Sequence, residues 1–193
     1  MQGGQQTVQM KRVTVGLLST NCYLLWREDR EDCVVIDPGA NAEKIRAAMG
    51  GRSLAAILLT HGHFDHIGAV DALMGPGTEL VVHTQDEPML HSPELNVCWM
   101  IDRHITCRRA TRTVEEGDLL VYAGMAFRVL HTPGHTLGGV CYECGGMLFT
   151  GDTMFDEGWG RTDLPGGSEA SLMASLRRLM PLRDTHEILG GHG

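Results

Sequence analysis

The sequence predicts an α/β protein with its strands and helices packed in layers. Three observations carry that reading. Early strands alternate with helical segments, whereas later strands follow one another through glycine-rich turns. This combination fits a layered sandwich. The apolar segment Ala55 to Leu59 reads as a strand buried on both faces. Finally, four apolar segments each run into a turn that holds a His or an Asp beside glycine.

Taken in order, Arg12 to Val15, Cys22 to Trp26 and Cys33 to Asp37 read as short strands rich in Val, Ile, Leu and aromatic residues. Asp37-Pro38-Gly39 is a stop. Asn41 is placed to cap a helix over Ala42 to Met49, which Gly50-Gly51 ends. After the strand Ala55 to Leu59 comes a His-rich loop, then a helix over Ile67 to Met74, broken by Gly75-Pro76-Gly77. Glu79 to Val82 is a further strand. Thr84 to Asp102 reads as a short helix near Asp86 to His91 followed by irregular chain. Strands then follow over Leu119 to Tyr122, Ala126 to Leu130, Gly139 to Tyr142 and Met147 to Thr150. Ser168 suits the cap of a helix over Glu169 to Leu179, stopped by Pro181, and Glu187 to Leu189 is the last strand. No composition break or repeat divides the chain. Residues 1–9 read as a disordered leader and residues 10–193 as one domain.

The 193 residues suffice for one full-sized core. The apolar runs fall far short of the ~20 residues a bilayer requires. The polar start, Met-Gln-Gly-Gly-Gln-Gln, lacks the apolar stretch of a signal peptide. With a net charge of −8 and no dense Lys/Arg cluster, a nucleic-acid partner is not expected. Arg103, Arg108, Arg109 and Arg112 form the nearest basic stretch, read as solvated surface or an anion patch. Six cysteines without a signal sequence point to reduced thiols in a cytosol. Cys141-x-x-Cys144 has ligand or redox spacing, but no second pair accompanies it. Gly145-Gly146 follows at once, so the pair reads as flanking a hairpin turn.

The chemistry concentrates in Thr60-His61-Gly62-His63-Phe64-Asp65-His66. No helical or strand period explains such a cluster, and imidazole with carboxylate suits Zn, Fe or Mn. Alternate residues His61 and His63 can reach one metal from an extended backbone, while Asp65 and His66 face a second. Three later strand ends offer further donors: His135 in Thr132-Pro133-Gly134-His135-Thr136, Asp152 in Thr150-Gly151-Asp152-Thr153, and His192 in Gly190-Gly191-His192-Gly193. Each alone is weak; together with the first cluster they are specific. His131, close in sequence to His135, is a candidate for an orienting role. Met89 to Arg112, with Trp99 and Met100, is a candidate groove wall.

This ladder resembles that of the metallo-β-lactamase-fold hydrolases, over nearly the whole chain from Thr20-Asn21-Cys22-Tyr23 and Val35-Ile36-Asp37-Pro38-Gly39 onward. Gly160-Arg161-Thr162-Asp163-Leu164-Pro165-Gly166-Gly167 is similar to the short bacterial glyoxalase II-like branch. The resemblance implies the α/β (α+β), four-layer αββα sandwich of that fold. It also implies two divalent metals, Zn foremost, with Fe or Mn as alternatives. His61, His63 and His135 would hold the first, Asp65, His66 and His192 the second, and Asp152 both. The implied reaction is hydrolysis of a small acyl thioester, a hydroxide shared by the metals attacking the carbonyl. A thiolate leaves without a strong acid, because thiols have a pKa of about 8.5. Asp65 and Asp152 act through that hydroxide, and a proton-handling role for Asp65 stays open.

The sequence also departs from the family. The long glyoxalase II type has a C-terminal helical domain that helps to bind glutathione, and no such domain is expected from the residues up to Gly193. That type also grips the glutathione carboxylate with a Lys and, two residues on, a Tyr. Here Arg161 and Asp163 take those places. Arg161 remains a candidate substrate contact, whereas Asp163 would repel a carboxylate. Gly190 stands where relatives have Pro, and His192 so near the last residue is expected to fray unless a metal holds it. Two alternatives remain: a mononuclear iron persulfide dioxygenase-like oxidoreductase, which also has a Gly-Arg-Thr-Asp run, and a non-enzymatic metal-binding module. The lactamase subclasses do not combine Asp65, His66, Asp152 and His192 in this way.

Overall fold

The computed structural model describes residues 7–193. A six-stranded sheet holds β1 (Val8–Val15), β2 (Thr20–Arg27), β3 (Asp32–Ile36), β4 (Ser53–Leu58), β5 (Glu79–His83) and β6 (Arg112–Val114) in sequence order. The first two pairings are antiparallel and the other three parallel. A five-stranded sheet follows, with β7 (Leu119–Tyr122), β8 (Met125–His131), β9 (Val140–Cys144) and β10 (Met147–Gly151) antiparallel, and β11 (Glu187–Gly190) parallel to β10 at the edge.

The strands alternate between two interiors because successive side chains face opposite ways. Leu25, Val34, Ile36 and Leu58 point between the sheets and meet Phe127, Val129, Tyr142 and Phe149. Their sequence neighbours Leu24, Val35 and Ile57 face outward, against Ile45 and Met49 of α1 (Ala42–Met49) and Val70 and Leu73 farther along. On the far side, Leu130, Cys141 and Leu148 carry Leu172, Leu176 and Leu179 of the C-terminal helix Glu169–Leu179. The result is the expected four-layer αββα sandwich.

Several local expectations change. Val8 and Gln9 already belong to β1, so the expected leader does not extend to residue 9; residues 1–6 of it lie outside the described residues. Asn41 precedes α1 but does not cap it: its Oδ1 accepts from the Gly16 amide at 2.8 Å. The helix expected over Ile67 to Met74 is two single turns, α2 (Phe64–Ile67) and α3 (Val70–Leu73). Between them the chain bends over the 37–40 turn, where the Ala69 amide donates to the Pro38 carbonyl at 2.9 Å. The helix α4 (Glu169–Leu179) is capped as expected, with Ser168 Oγ accepting from the Ser171 amide at 3.3 Å. Pro181 does not end the turn outright; a 3-10 segment continues over Met180–Asp184. The difficult stretch holds two 3-10 turns, Glu87–His91 and Cys98–Ile101. Cys141 and Cys144 sit on one strand but in different interiors, which rules them out as a ligand or disulfide pair. Among the described residues no helix is long and apolar enough to cross a membrane.

The two sheets are joined where the chemistry sits. Val140 N donates to Thr60 O at 2.9 Å, and Tyr142 Oη donates to Leu59 O at 3.0 Å. Removing the Phe127 ring from between the sheets leaves a cavity that the flanking strands cannot collapse. Phe127→Ala is therefore expected to cost about 3–5 kcal/mol, read from denaturant unfolding at unchanged m-value.

Candidate metal centre

Four strands end on one rim, and each delivers donors. His61, His63, Asp65 and His66 follow β4, His135 follows β8, Asp152 follows β10 and His192 follows β11. Two glycines let the backbones come this close. Gly151 has φ +48°, and a Cβ on it would lie 2.2 Å from Thr60 Oγ1; one on Gly191 would lie 2.2 Å from Asp152 Oδ1.

The structure brings together all seven residues expected as ligands. Donor atoms of His61, His63 and His135 form one group within 4.8 Å of one another, and those of Asp65, His66 and His192 form a second. Asp152 lies between: Oδ1 is 3.5 Å from His66 Nε2, and Oδ2 is 3.5 Å from His135 Nε2 and 3.4 Å from His192 Nε2. His63 Nδ1 faces His135 Nε2 at 2.9 Å. His61 Nε2, His66 Nε2 and Asp152 Oδ1 are buried without a hydrogen-bond partner. Such atoms each cost about 1–3 kcal/mol unless something satisfies them. Five imidazoles and two carboxylates converging here fit a pair of divalent cations.

The ring tautomers follow from neighbours that can only accept or are already donating. His135 Nδ1 donates to the Arg161 carbonyl at 2.7 Å, and His192 Nδ1 donates to the Leu18 carbonyl at 3.0 Å. Each therefore turns its Nε2 toward the cluster. Asp37 sets the orientation of two more rings. It accepts from the Thr60 hydroxyl at 2.7 Å, which in turn accepts from His61 Nδ1 at 3.1 Å. Asp37 Oδ2 also lies 3.0 Å from His66 Nδ1. Thr20 Oγ1 donates to Asp65 Oδ2 at 2.9 Å. A second buried carboxylate, Asp86, clamps the loops together. It accepts from the Gly62 amide at 3.2 Å, the Thr136 hydroxyl at 2.7 Å and the Gly138 amide at 2.6 Å. Burial pushes its pKa up, and these three donors oppose the rise.

Sequence reasoning passes over Asp37, Thr60 and Asp86 as orienting groups. Asp37 carries one visible signal, an acidic residue closing a buried strand before Pro-Gly; Asp86 carries none. His131 is not at the cluster. Its ring stacks on His83, centroids 4.1 Å apart, and its Nε2 bonds the Leu137 carbonyl. The chain around His192 is held by hydrogen bonds to the first two strands. The Asn21 amide donates to Gly191 O at 2.7 Å, Asn21 Nδ2 to Gly190 O at 3.1 Å, and Arg12 Nη1 to Gly193 O at 3.2 Å.

A cleft of about 530 Å³ opens over the cluster, lined mainly by apolar side chains. Met100 lines it as expected; Trp99 beside it does not. Arg161 lines it too, but its guanidinium makes two 2.7 Å bonds to the Asp163 carboxylate, and its backbone carbonyl serves His135. In the basic stretch, Arg108 is paired with Asp71 at 2.8 Å.

A two-sheet αββα sandwich with this donor set at one rim defines the class. The Metallo-beta-lactamase superfamily model matches residues 15–192, and the chain belongs to that superfamily. It is 36% identical over 192 residues to hydroxyacylglutathione hydrolase GloC of Haemophilus influenzae, covering 94% of this chain and 89% of that one. Among solved structures it is similar to BLEG-1 B3 metallo-beta-lactamase, with TM-score 0.90, 36% identity, and 96% and 92% of the two chains covered. It is also similar to TTHA1623 in a di-iron-bound form, with TM-score 0.83, 38% identity, and 95% and 92% covered.

The donors do not share one protonation state. Burial holds His61 well below the ordinary histidine value, and burial with the neighbouring His135 brings His63 down to about 3. Burial opposes charging of His66 and His192 as well, but nearby carboxylates outweigh it. Asp65, Asp37 and Asp152 raise His66 to about 9; Asp152 and Asp65 raise His192 to about 10. The carboxylates thus favour protons on both rings, and a cation must displace those protons. Affinity at this group is expected to weaken as pH falls from 8 to 6, with proton release on binding. Calorimetric titration in two buffers of different ionisation enthalpy reads this directly; equal heats in both would contradict it.

Proposed function

We propose that the chain is a binuclear metal-dependent hydrolase of small acyl thioesters. The reading is supported by one arrangement above all: two groups of three donors with the Asp152 carboxylate spanning them. His61, His63 and His135 would hold one cation, Asp65, His66 and His192 the other, and Asp152 both. When bound, two such cations supply hydroxide at neutral pH and a Lewis acid for the carbonyl oxygen. Zn suits the donors best, and Fe or Mn also fits a set of imidazoles and carboxylates without thiolate.

The protein's own part is positional. Asp37 and Thr60 fix two rings, Arg161 O and Leu18 O fix two more, and Thr20 holds Asp65. Apart from Arg161, every titratable side chain lining the cleft belongs to the donor set. Among the described residues no separate carboxyl or imidazole lines the cleft to protonate a leaving group. A thiolate leaves without one, whereas an alkoxide or amide needs it, and this favours a thioester. The likeness to GloC, named a hydroxyacylglutathione hydrolase, agrees. The likeness to BLEG-1, named a B3 lactamase, makes a lactam the substrate to compare against it.

The test is turnover of a simple thioester, its oxygen-ester isostere and a lactam, with and without chelator. The expected order is thioester well above the other two, with all activity lost to chelator and restored by metal. Asp152→Ala is expected to lower thioester turnover at least 1,000-fold (on the order of 4 kcal/mol), and His91→Ala, an exposed side chain at the end of a 3-10 turn, to leave it unchanged. Chelator-resistant turnover, or a preference for the lactam, would overturn the proposal.

A further inference from the structure

The cleft over the donor cluster has a character of its own. Its walls are Leu18, Val97, Met100, Ile101, Trp159 and Leu164, and the donors form its floor. Leu18, Met100 and Trp159 are 49%, 46% and 56% exposed, so large apolar side chains stand open to solvent around its mouth. Contiguous exposed apolar surface beside a polar floor marks a place where apolar ligand surface is taken up.

Among the described residues one Arg and no Lys lines the cleft, and that residue, Arg161, is engaged. Asp163 holds it through two parallel bonds of 2.7 Å, so the pair presents no net charge. A substrate carboxylate arriving there would compete with Asp163 and be repelled by it. Arg103 does not line this cleft but an adjoining one, which shares Leu18, Phe64, Asp65 and Ile101 with it.

We propose that this site selects thioesters by an apolar acyl chain, and that a charged thiol carrier contributes nothing to recognition. The proposal rests on the thioesterase reading and adds the substrate class. The acyl chain lies against Met100, Ile101 and Trp159, with its carbonyl over the donors. Each methylene withdrawn from water against those walls improves binding by a roughly constant factor, about three- to fivefold.

The experiment uses the metal-loaded protein and two matched series. One is S-acyl-N-acetylcysteamine, with an uncharged carrier; the other is S-acylglutathione, with a charged one. Both run from acetyl through butanoyl and hexanoyl to octanoyl. Expected is a kcat/KM that rises about three- to fivefold per methylene until the cleft is filled, with the two carriers within threefold of each other. Trp159→Ser and Met100→Ser are expected to flatten the rise. A flat profile, or a tenfold or greater preference for glutathione, would overturn the proposal. The non-hydrolysable S-alkyl-N-acetylcysteamine thioethers are titrated calorimetrically alongside. Turnover of neither series, with thioether affinity still rising with chain length, would contradict the thioesterase reading and leave apolar selection standing. Thioether affinity indifferent to chain length would overturn apolar selection whatever the turnover.

Discussion

Five imidazoles and two carboxylates meet at one rim of the sandwich, and burying them together is the constraint on which the rest depends. Buried polar atoms without partners are costly, and buried charges more so. The fold meets that cost with a surrounding layer of fixed acceptors and donors. Asp37 is central to it. Its carboxylate takes the Thr60 amide and hydroxyl and lies against His66, so one buried group orients the first strand-end loop and two of its rings. Asp86 does the same for the joint between the loop at Gly62 and the loop at Thr136 to Gly138. The ring nitrogens aimed into the cluster thereby have few partners besides its carboxylates, which is the arrangement a cation requires.

The sandwich exists in the form it does because it must hold four loops in register. Donors come from both sheets, so the sheets must not slide. The bond from Val140 to Thr60 and that from Tyr142 to Leu59 lock them beside the cluster. The last strand adds His192 through a parallel pairing with β10, and Asn21 and Arg12 tie the chain beyond it to the first two strands. Elements distant in sequence thus converge on a few ångströms of rim.

Much of this was legible in the sequence, for identifiable reasons. Strands such as Val35-Ile36 and Leu148-Phe149 are buried on both faces and read as apolar runs. The donors fall at strand ends beside glycine, where no structural period explains them. The helix at Ser168 carried its own cap. What could not be read was set by tertiary contact. Asn41 looks like a cap, but Gly16 takes its side chain. Ile67 to Met74 looks like one helix, but the turn at Pro38 pulls its middle over. Arg112 to Val114 is too short to show a period, and Arg112 alone is read, as the end of a basic stretch. Arg161 reads as a carboxylate grip, whereas Asp163, two residues on, occupies its guanidinium. Asp86 gives no signal because its three partners lie 24 to 52 residues away.

The central claim is that the two donor groups hold two cations and that Asp152 is common to both. Elemental analysis of the purified, metal-loaded protein tests it most directly, beside Asp152→Ala and His192→Ala. The account predicts close to two equivalents of Zn, Fe or Mn per chain, about one after His192→Ala, and less than one after Asp152→Ala. A parent protein that binds no more than one equivalent under saturating metal, or an Asp152→Ala variant that retains two, would contradict it.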